Sequence, residues 1–117
     1  MRKLVYIAGP YSSEPEANVD KAMMVANILL DQKFAIFCPH LFHFLEQVQE
    51  RDYQEWLELD LQYLSNCDAI LRLEGESPGA DKEVAHAVNQ EIPVFYECYF
   101  KDIESACKQM REILEWK

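Results

Sequence analysis

The segment VYIAGPYSS, residues 5–13, decides the fold. It continues the apolar run Leu4–Ala8, which lacks polar alternation and therefore predicts a strand buried on both faces of a parallel sheet. A glycine and a proline end this strand, and the hydroxyl side chains of Ser12 and Ser13 follow. Such a turn either only reverses the chain or holds a ligand that carries oxygen atoms, such as a phosphate or a sugar.

Beyond this segment the chain alternates helices and strands. Further strands are predicted over residues 34–38, 69–73 and 92–96, and helices over residues 15–32, 41–49, 53–65, 81–89 and 102–116. The alternation predicts one α/β domain over residues 1–117, with a four- to five-stranded parallel sheet between helices on both faces. Ligands of such sheets bind beyond the carboxyl ends of the strands.

Helical periodicity also predicts which side chains face the core. In the helix over residues 41–49 these are Leu41, Phe42, Leu45 and Val48. In the helix over residues 81–89 they are Val84, Ala85 and Val88. In the last helix they are Ile103, Cys107, Met110 and either Ile113 or Leu114.

Composition excludes several classes of function. The net charge is −10, and the 11 Lys and Arg residues form no basic cluster, which argues against nucleic-acid polymers and anionic membranes as partners. No apolar run approaches the ~20 residues that cross a bilayer, so we expect a cytoplasmic protein. The four cysteines form no CxxC pair, which predicts buried free thiols and neither a metal site nor a cofactor.

The segment SPGADKE, residues 77–83, carries the first candidate site residues. Ser77 and Gly79 stand where a strand passes into a helix, and the free N–H groups there suit a phosphate or a sugar hydroxyl. Glu83 is predicted in or near the first helical turn, where the helix dipole favours a carboxylate that acts as nucleophile or base. The alternative is a glutamate that only stabilises the helix.

Asp60 is the second candidate acid, on the helix predicted over residues 53–65. One interpretation is a proton donor or orienting group that lies across a pocket from Glu83. The alternative is a solvated surface acid. Two carboxyl groups in different environments are what cleavage of a glycosidic bond requires.

Aromatic and histidine side chains complete the set. His40 and His43 follow the second strand, where they either line a pocket that binds a base or serve as half-buried structural residues. Tyr6 lies within the first strand, either as a core residue or as a hydrogen-bond partner that positions an active carboxylate. Tyr11 lies in the first loop, where it would cover a ligand.

The order of these pieces resembles the nucleoside 2-deoxyribosyltransferase superfamily. The segments that carry the resemblance are VYIAGPYS, FCPHLFHF, Trp56 with Asp60, CDAILRL, ESPGADKEVAHA and IPVF. They span residues 3 to about 96, and the chain is most similar to the short phage- and bacteria-associated members labelled as a domain of unknown function. The resemblance implies a flavodoxin-like three-layer sandwich, with Glu83 as nucleophile, Asp60 assisting the leaving base and Tyr6 positioning Glu83.

The resemblance also implies a substrate. Transferases of the superfamily carry an aspartate where this chain has Ser77, and a serine there resembles the deoxynucleoside 5′-monophosphate N-glycosidases, in which it binds the 5′-phosphate. The other half of the phosphate cradle would be Gly9, Pro10, Tyr11 and Ser12. The arginine of that branch's first loop is absent, so Arg2, Lys3 or a neighbouring subunit would supply the positive charge.

These observations predict an N-glycosidase that acts on a (deoxy)nucleoside 5′-monophosphate. The alternatives are a nucleotide-binding protein without turnover and a nucleoside deoxyribosyltransferase. The expected partner is a small nucleotide or nucleoside, and a homodimer or higher homo-oligomer is predicted. The aromatic side chains assigned to its interface are Phe44, Tyr53, Tyr99 and Phe100.

Overall fold

A computed structural model describes residues 1–114, so the predicted end of the last helix at Trp116 lies outside the described residues. The strands are β1 (Leu4–Ala8), β2 (Ala35–Phe37), β3 (Ala69–Arg72) and β4 (Val94–Tyr96). The helices are α1 (Pro15–Asp31), α2 (Phe42–Val48), α3 (Tyr53–Leu64), α4 (Pro78–Asn89) and α5 (Ile103–Ile113). Two 3₁₀ turns cover Pro39–Leu41 and Glu97–Tyr99.

The sheet of the described residues has four strands in the order β2-β1-β3-β4, and every neighbouring pair is parallel. This confirms the predicted flavodoxin-like α/β class. The chain leaves β1 to form β2 on one side of it and later returns to form β3 on the other side. The connections therefore diverge at the carboxyl ends of β1 and β3, where an open α/β sheet has its ligand crevice.

Two apolar cores, one on each face of the sheet, make the three layers. Helices α1 and α5 pack on one face, where Leu29, Leu71 and Met110 are fully buried. Helices α3 and α4 pack on the other face, which carries Tyr6 and Ile70 at opposite positions of β1 and β3. Tyr6 therefore points toward the helix that bears Glu83.

Two helices present different faces from those predicted. Of the set predicted over residues 41–49, Leu41, Leu45 and Val48 are exposed and only Phe42 is partly buried, because the short helix α2 lies at the rim of the fold. In α4, Val84 packs against the core as predicted, but Ala85 and Val88 are exposed. The buried positions are Ala80, Glu83 and Ala87. Because the buried side of α4 includes the charged residue Glu83, a search for apolar periodicity did not identify that side. In α5, Leu114 rather than Ile113 packs against the core.

Helix α4 begins three residues earlier than predicted, at Pro78 instead of residue 81. Proline suits this position because it needs no N–H partner, and the Ser77 hydroxyl accepts the Ala80 N–H at 3.1 Å as an N-cap. Glu83 consequently lies in the second turn of α4, next to the first turn in or near which it was predicted.

Gly75, in the loop before α4, packs against Pro10 of the first loop. Its φ is +117°, and a Cβ there would lie 2.7 Å from Cγ of Pro10. Both the backbone conformation and the contact exclude a side chain. We expect Gly75→Ala to lower the free energy of unfolding by about 1–3 kcal/mol, measured by chemical denaturation. Gly79→Ala, whose Cβ would meet the Tyr53 hydroxyl at 3.3 Å, is the control and should cost less.

The aromatic side chains assigned to an interface differ in exposure. Phe44, Tyr53 and Tyr99 are exposed, whereas Phe100 packs against the core beside α1 and α5. The homo-oligomer stays a prediction.

Candidate active site

A cavity of about 530 Å³ lies at the carboxyl edge of the sheet. It lies between the first loop, the turn after β2, helices α2 and α3, and the start of α4. Of the predicted site residues, its lining includes Gly9, Tyr11, Ser12, His40, His43, Asp60, Ser77, Gly79 and Glu83. Tyr6 lies beneath Glu83, and Pro10 stays outside the lining.

Glu83 is a buried acid at the floor of this cavity, only 5% exposed. The Tyr6 hydroxyl, itself fully buried, donates a hydrogen bond to Oε2 of Glu83. Burial raises the pKa of Glu83 to about 8, against the opposing effects of the Tyr6 hydrogen bond and the positive charge of Arg72. The expected carboxylate at neutral pH is therefore opposed by burial, which favours the protonated form of Glu83.

Asp60, on α3, lines the same cavity as Glu83. Burial raises the pKa of this carboxyl to about 7, and the neighbouring charge of Asp60 in turn raises the pKa of Glu83. Among residues 1–114, Oδ1 of Asp60 is a buried side-chain oxygen without a hydrogen-bond partner. Near neutral pH the two carboxyl groups therefore share protons as a coupled pair. Asp60 is not the solvated surface acid of the alternative interpretation.

The first loop is held in place by two histidines. His40 is buried, and burial lowers its pKa, so its imidazole is neutral. Its Nε2–H donates to the Pro10 carbonyl at 2.9 Å. The Tyr11 hydroxyl lies 2.7 Å from Nδ1 of His43. These ring nitrogens are engaged within the chain, so each histidine positions the loop as well as lining the cavity.

Ser77 combines two capacities. Its Oγ accepts the Ala80 N–H, while the hydroxyl proton stays available to donate to a ligand. Gly79 follows, and the Tyr53 hydroxyl lies where a Cβ of Gly79 would be in contact. A side chain at residue 79 would therefore press against Tyr53 at the start of α4.

The positive charges of the cavity come from residues that the sequence pattern did not single out. Among residues 1–114, the lining includes Arg51, before α3, and Lys82, whose Nζ lies 5.0 Å from the centre of the Tyr53 ring. Arg2 was predicted as a source of charge, but it donates to the carbonyls of Leu30 and Phe34 at the amino end of the sheet. Arg51 and Lys82 both line the cavity, and only their position in the fold reveals this.

An aromatic wall on the α2–α3 side was also missed. Phe42 and Trp56 stack with ring centroids 5.2 Å apart, and both line the cavity. Glu46 accepts the Trp56 indole N–H and, at 2.9 Å, the backbone N–H of Arg51. This carboxylate ties α2 to α3 and fixes the wall, which presents a flat apolar surface of the kind on which a base stacks.

The structure also bears on the predictions about membranes, metal sites and cysteines. None of the helices in residues 1–114 is long and apolar enough to cross a membrane. That part of the chain also has no cluster of three His, Cys, Asp or Glu side chains suited to a metal ion. Cys38, Cys67 and Cys107 are buried free thiols as predicted, whereas Cys98 is exposed.

Two solved structures that match this fold are deoxyribosyltransferases. A 2-desoxiribosyltransferase from Leishmania mexicana matches with a TM-score of 0.63 and 16% identity, over 80% of this chain and 63% of that chain. The 2-deoxyribosyltransferase from the psychrotolerant bacterium Bacillus psychrosaccharolyticus matches with a TM-score of 0.56 and 23% identity, over 80% of this chain and 70% of that chain. This chain thus spans less than two thirds of the Leishmania protein. At these identities the likeness shows the fold alone.

No curated protein matches the sequence. One family model does match, over residues 3–97, and it is described as a domain of unknown function, DUF7768. That match covers β1 to β4 and every residue of the cavity described above. The chain therefore belongs to the DUF7768 family.

Proposed function

We propose that this protein is a nucleotide N-glycosidase that cleaves the base–sugar bond of a (deoxy)nucleoside 5′-monophosphate. The observation that carries the proposal is the group of Tyr6, Glu83 and Asp60 at the floor of one cavity. A volume of about 530 Å³ lies within the roughly 300–1,000 Å³ of small-molecule sites. The fold shared with deoxyribosyltransferases supports chemistry at the sugar carbon.

The mechanism uses the two acids in turn. Glu83 in its ionised form attacks C1′, and the C1′–N bond breaks as its electron pair passes to the base. A proton delivered from Asp60, or through water, completes the free base. Asp60 then takes a proton from a water molecule that attacks C1′, and the ester with Glu83 breaks to release the sugar phosphate. Tyr6 holds the carboxylate in place throughout by its hydrogen bond.

We assign the 5′-phosphate to the rim of the cavity, above the two acids at its floor. Ser77, together with Gly9, Tyr11 and Ser12 of the first loop, offers hydroxyl and backbone donors there. Lys82 and Arg51 supply the charge that the first loop lacks. Arg51 also donates to Glu55 at 2.9 Å, an exposed pair of small stability that leaves part of the guanidinium free for a ligand.

Lys82→Ala should weaken use of nucleotides more than use of nucleosides. A charged hydrogen bond to phosphate is lost, so KM for a nucleoside monophosphate should rise about 10-fold. The matching nucleoside, which has no phosphate, should be unaffected. Lys108→Ala, an exposed lysine on α5, is the control variant. Equal effects on both substrates would contradict the assignment of Lys82 to the phosphate.

The proposed function is tested by incubating the protein with a panel of nucleoside monophosphates and nucleosides, followed by chromatography of the products. Free base and sugar phosphate in water alone are the expected result. Product that forms only when a second base is supplied would indicate a transferase instead. Intact nucleotide recovered from denatured protein would indicate a binding protein without turnover.

A further inference from the structure

Arg72 is a buried cation that the mechanism above does not use. It ends β3 and lies opposite Ala8 of β1, on the face of the sheet that also carries Tyr6. It is 9% exposed and does not line the cavity. A buried guanidinium at this position requires partners, and it has them in the loop that leads to α4.

Those partners tie three loops together. The guanidinium donates to the Leu73 carbonyl, to the Gly75 carbonyl at 2.9 Å and to Asp81 Oδ1 at 3.1 Å. Gly75 lies against the ring of Pro10, whose carbonyl accepts the His40 N–H. Arg72 therefore anchors the loop before α4, and through it the first loop and the turn after β2.

Arg72 also acts on Glu83. Arg72 lies on the face of the sheet from which Tyr6 donates to Glu83, and it pairs with Asp81, two residues before Glu83 on α4. The groups that affect the ionisation of Glu83 are the Tyr6 hydroxyl, the Asp60 carboxyl and the guanidinium of Arg72. Of these, Arg72 is the positive one. Its pairing with Asp81 leaves that charge effective, because the Asp81 side chain is 71% exposed and screened by water.

We propose that Arg72 is a positioning residue of the site, which fixes the loop before α4 and supplies the permanent positive charge behind Glu83. Asp60 alone would repel the ionised form of Glu83, and the Tyr6 hydrogen bond is neutral. The guanidinium cannot lose its proton, so its charge is present at every working pH. This inference rests on the proposed role of Glu83 in catalysis.

Two variants with opposite expectations test the charge. Arg72→Gln keeps an amide donor for the loop carbonyls and removes the charge, so the Glu83 carboxyl should titrate about one pH unit higher. Arg72→Lys keeps the charge and loses the planar fork, so Glu83 should titrate as in the wild type. The titration is read from the ¹³C NMR shift of the Glu83 carboxyl. Asp81→Asn is the control, and Arg72→Met is the second uncharged variant if glutamine disturbs the fold.

Activity gives a separate readout. In Arg72→Gln the acid limb of the pH profile of kcat/KM should shift to higher pH, by the same amount as the NMR titration. In Arg72→Lys the acid limb should stay at the pH of the wild type. A folded uncharged variant whose Glu83 titrates as in the wild type would overturn the inference. The NMR measurement needs no substrate, so a wild-type protein that releases no base would refute the proposed function and still decide the effect of Arg72.

Discussion

Glu83→Gln should lower base release by about 10³-fold or more while leaving the fold intact. The substitution removes the proposed nucleophile, and no other carboxylate accepts the Tyr6 hydroxyl in residues 1–114. Glutamine keeps the volume of glutamate, and its amide oxygen can accept the same hydrogen bond. The measurement is the rate of free base formation under single-turnover conditions, with circular dichroism to establish folding.

The matched control is Glu76→Gln. Glu76 also lines the cavity, yet it is exposed and lies in the loop before α4. The same chemical change there should alter the rate only slightly. Full activity of Glu83→Gln on a substrate that the wild type cleaves would show that Glu83 is not the nucleophile. A loss in both variants would point to the charge of the cavity rather than to one residue.

Most of the fold could be predicted from the sequence patterns of the strands. The apolar run of β1 and the alternation with helices predict the parallel sheet, because strands buried on both faces leave an unambiguous signal. The same pattern placed Tyr6 on a strand. It could not say which face Tyr6 occupies, since both neighbours are apolar. Only the register with β3 directs the hydroxyl toward α4.

The site was less predictable because its residues break the local rules. Glu83 occupies a core-facing position of α4, so an apolar search shifted the buried face to Ala85 and Val88. Arg72 stands where a buried strand should continue. Lys82 and Arg51 belong to segments that look like ordinary solvated helix starts. Long-range assembly, rather than local propensity, brings these residues to one place.

The acid pair should also make stability fall as the pH rises. In the unfolded chain a glutamate loses its proton near pH ~4.3, whereas burial holds the pKa of Glu83 at about 8 in the folded protein. Between these values the folded state binds more protons than the unfolded state, so the free energy of unfolding decreases with pH. The stability contributed by the protonated acid is complete below about pH 4 and is lost by about pH 8.

Glu83→Gln removes the part of this dependence that comes from Glu83, because the amide is neutral at every pH, whereas Asp60 keeps its raised pKa in both proteins. Relative to wild type, the variant should gain on the order of 3 kcal/mol between pH 5.5 and 8.5, measured by urea denaturation at each pH. Buried His40 changes stability with pH in the opposite sense, but it is present in both proteins and cancels in the difference. Glu76→Gln should show a constant difference from wild type.

A difference between Glu83→Gln and wild type that does not change with pH would mean that Glu83 is ionised in the folded protein throughout this range. The raised pKa assigned to burial would then be wrong. A difference in the free energy of unfolding that grows with pH would show that the buried acid at the cavity floor lowers the stability of the fold. Such a cost is expected at a catalytic position rather than at a structural one, since a glutamine or an apolar residue would be more stable there.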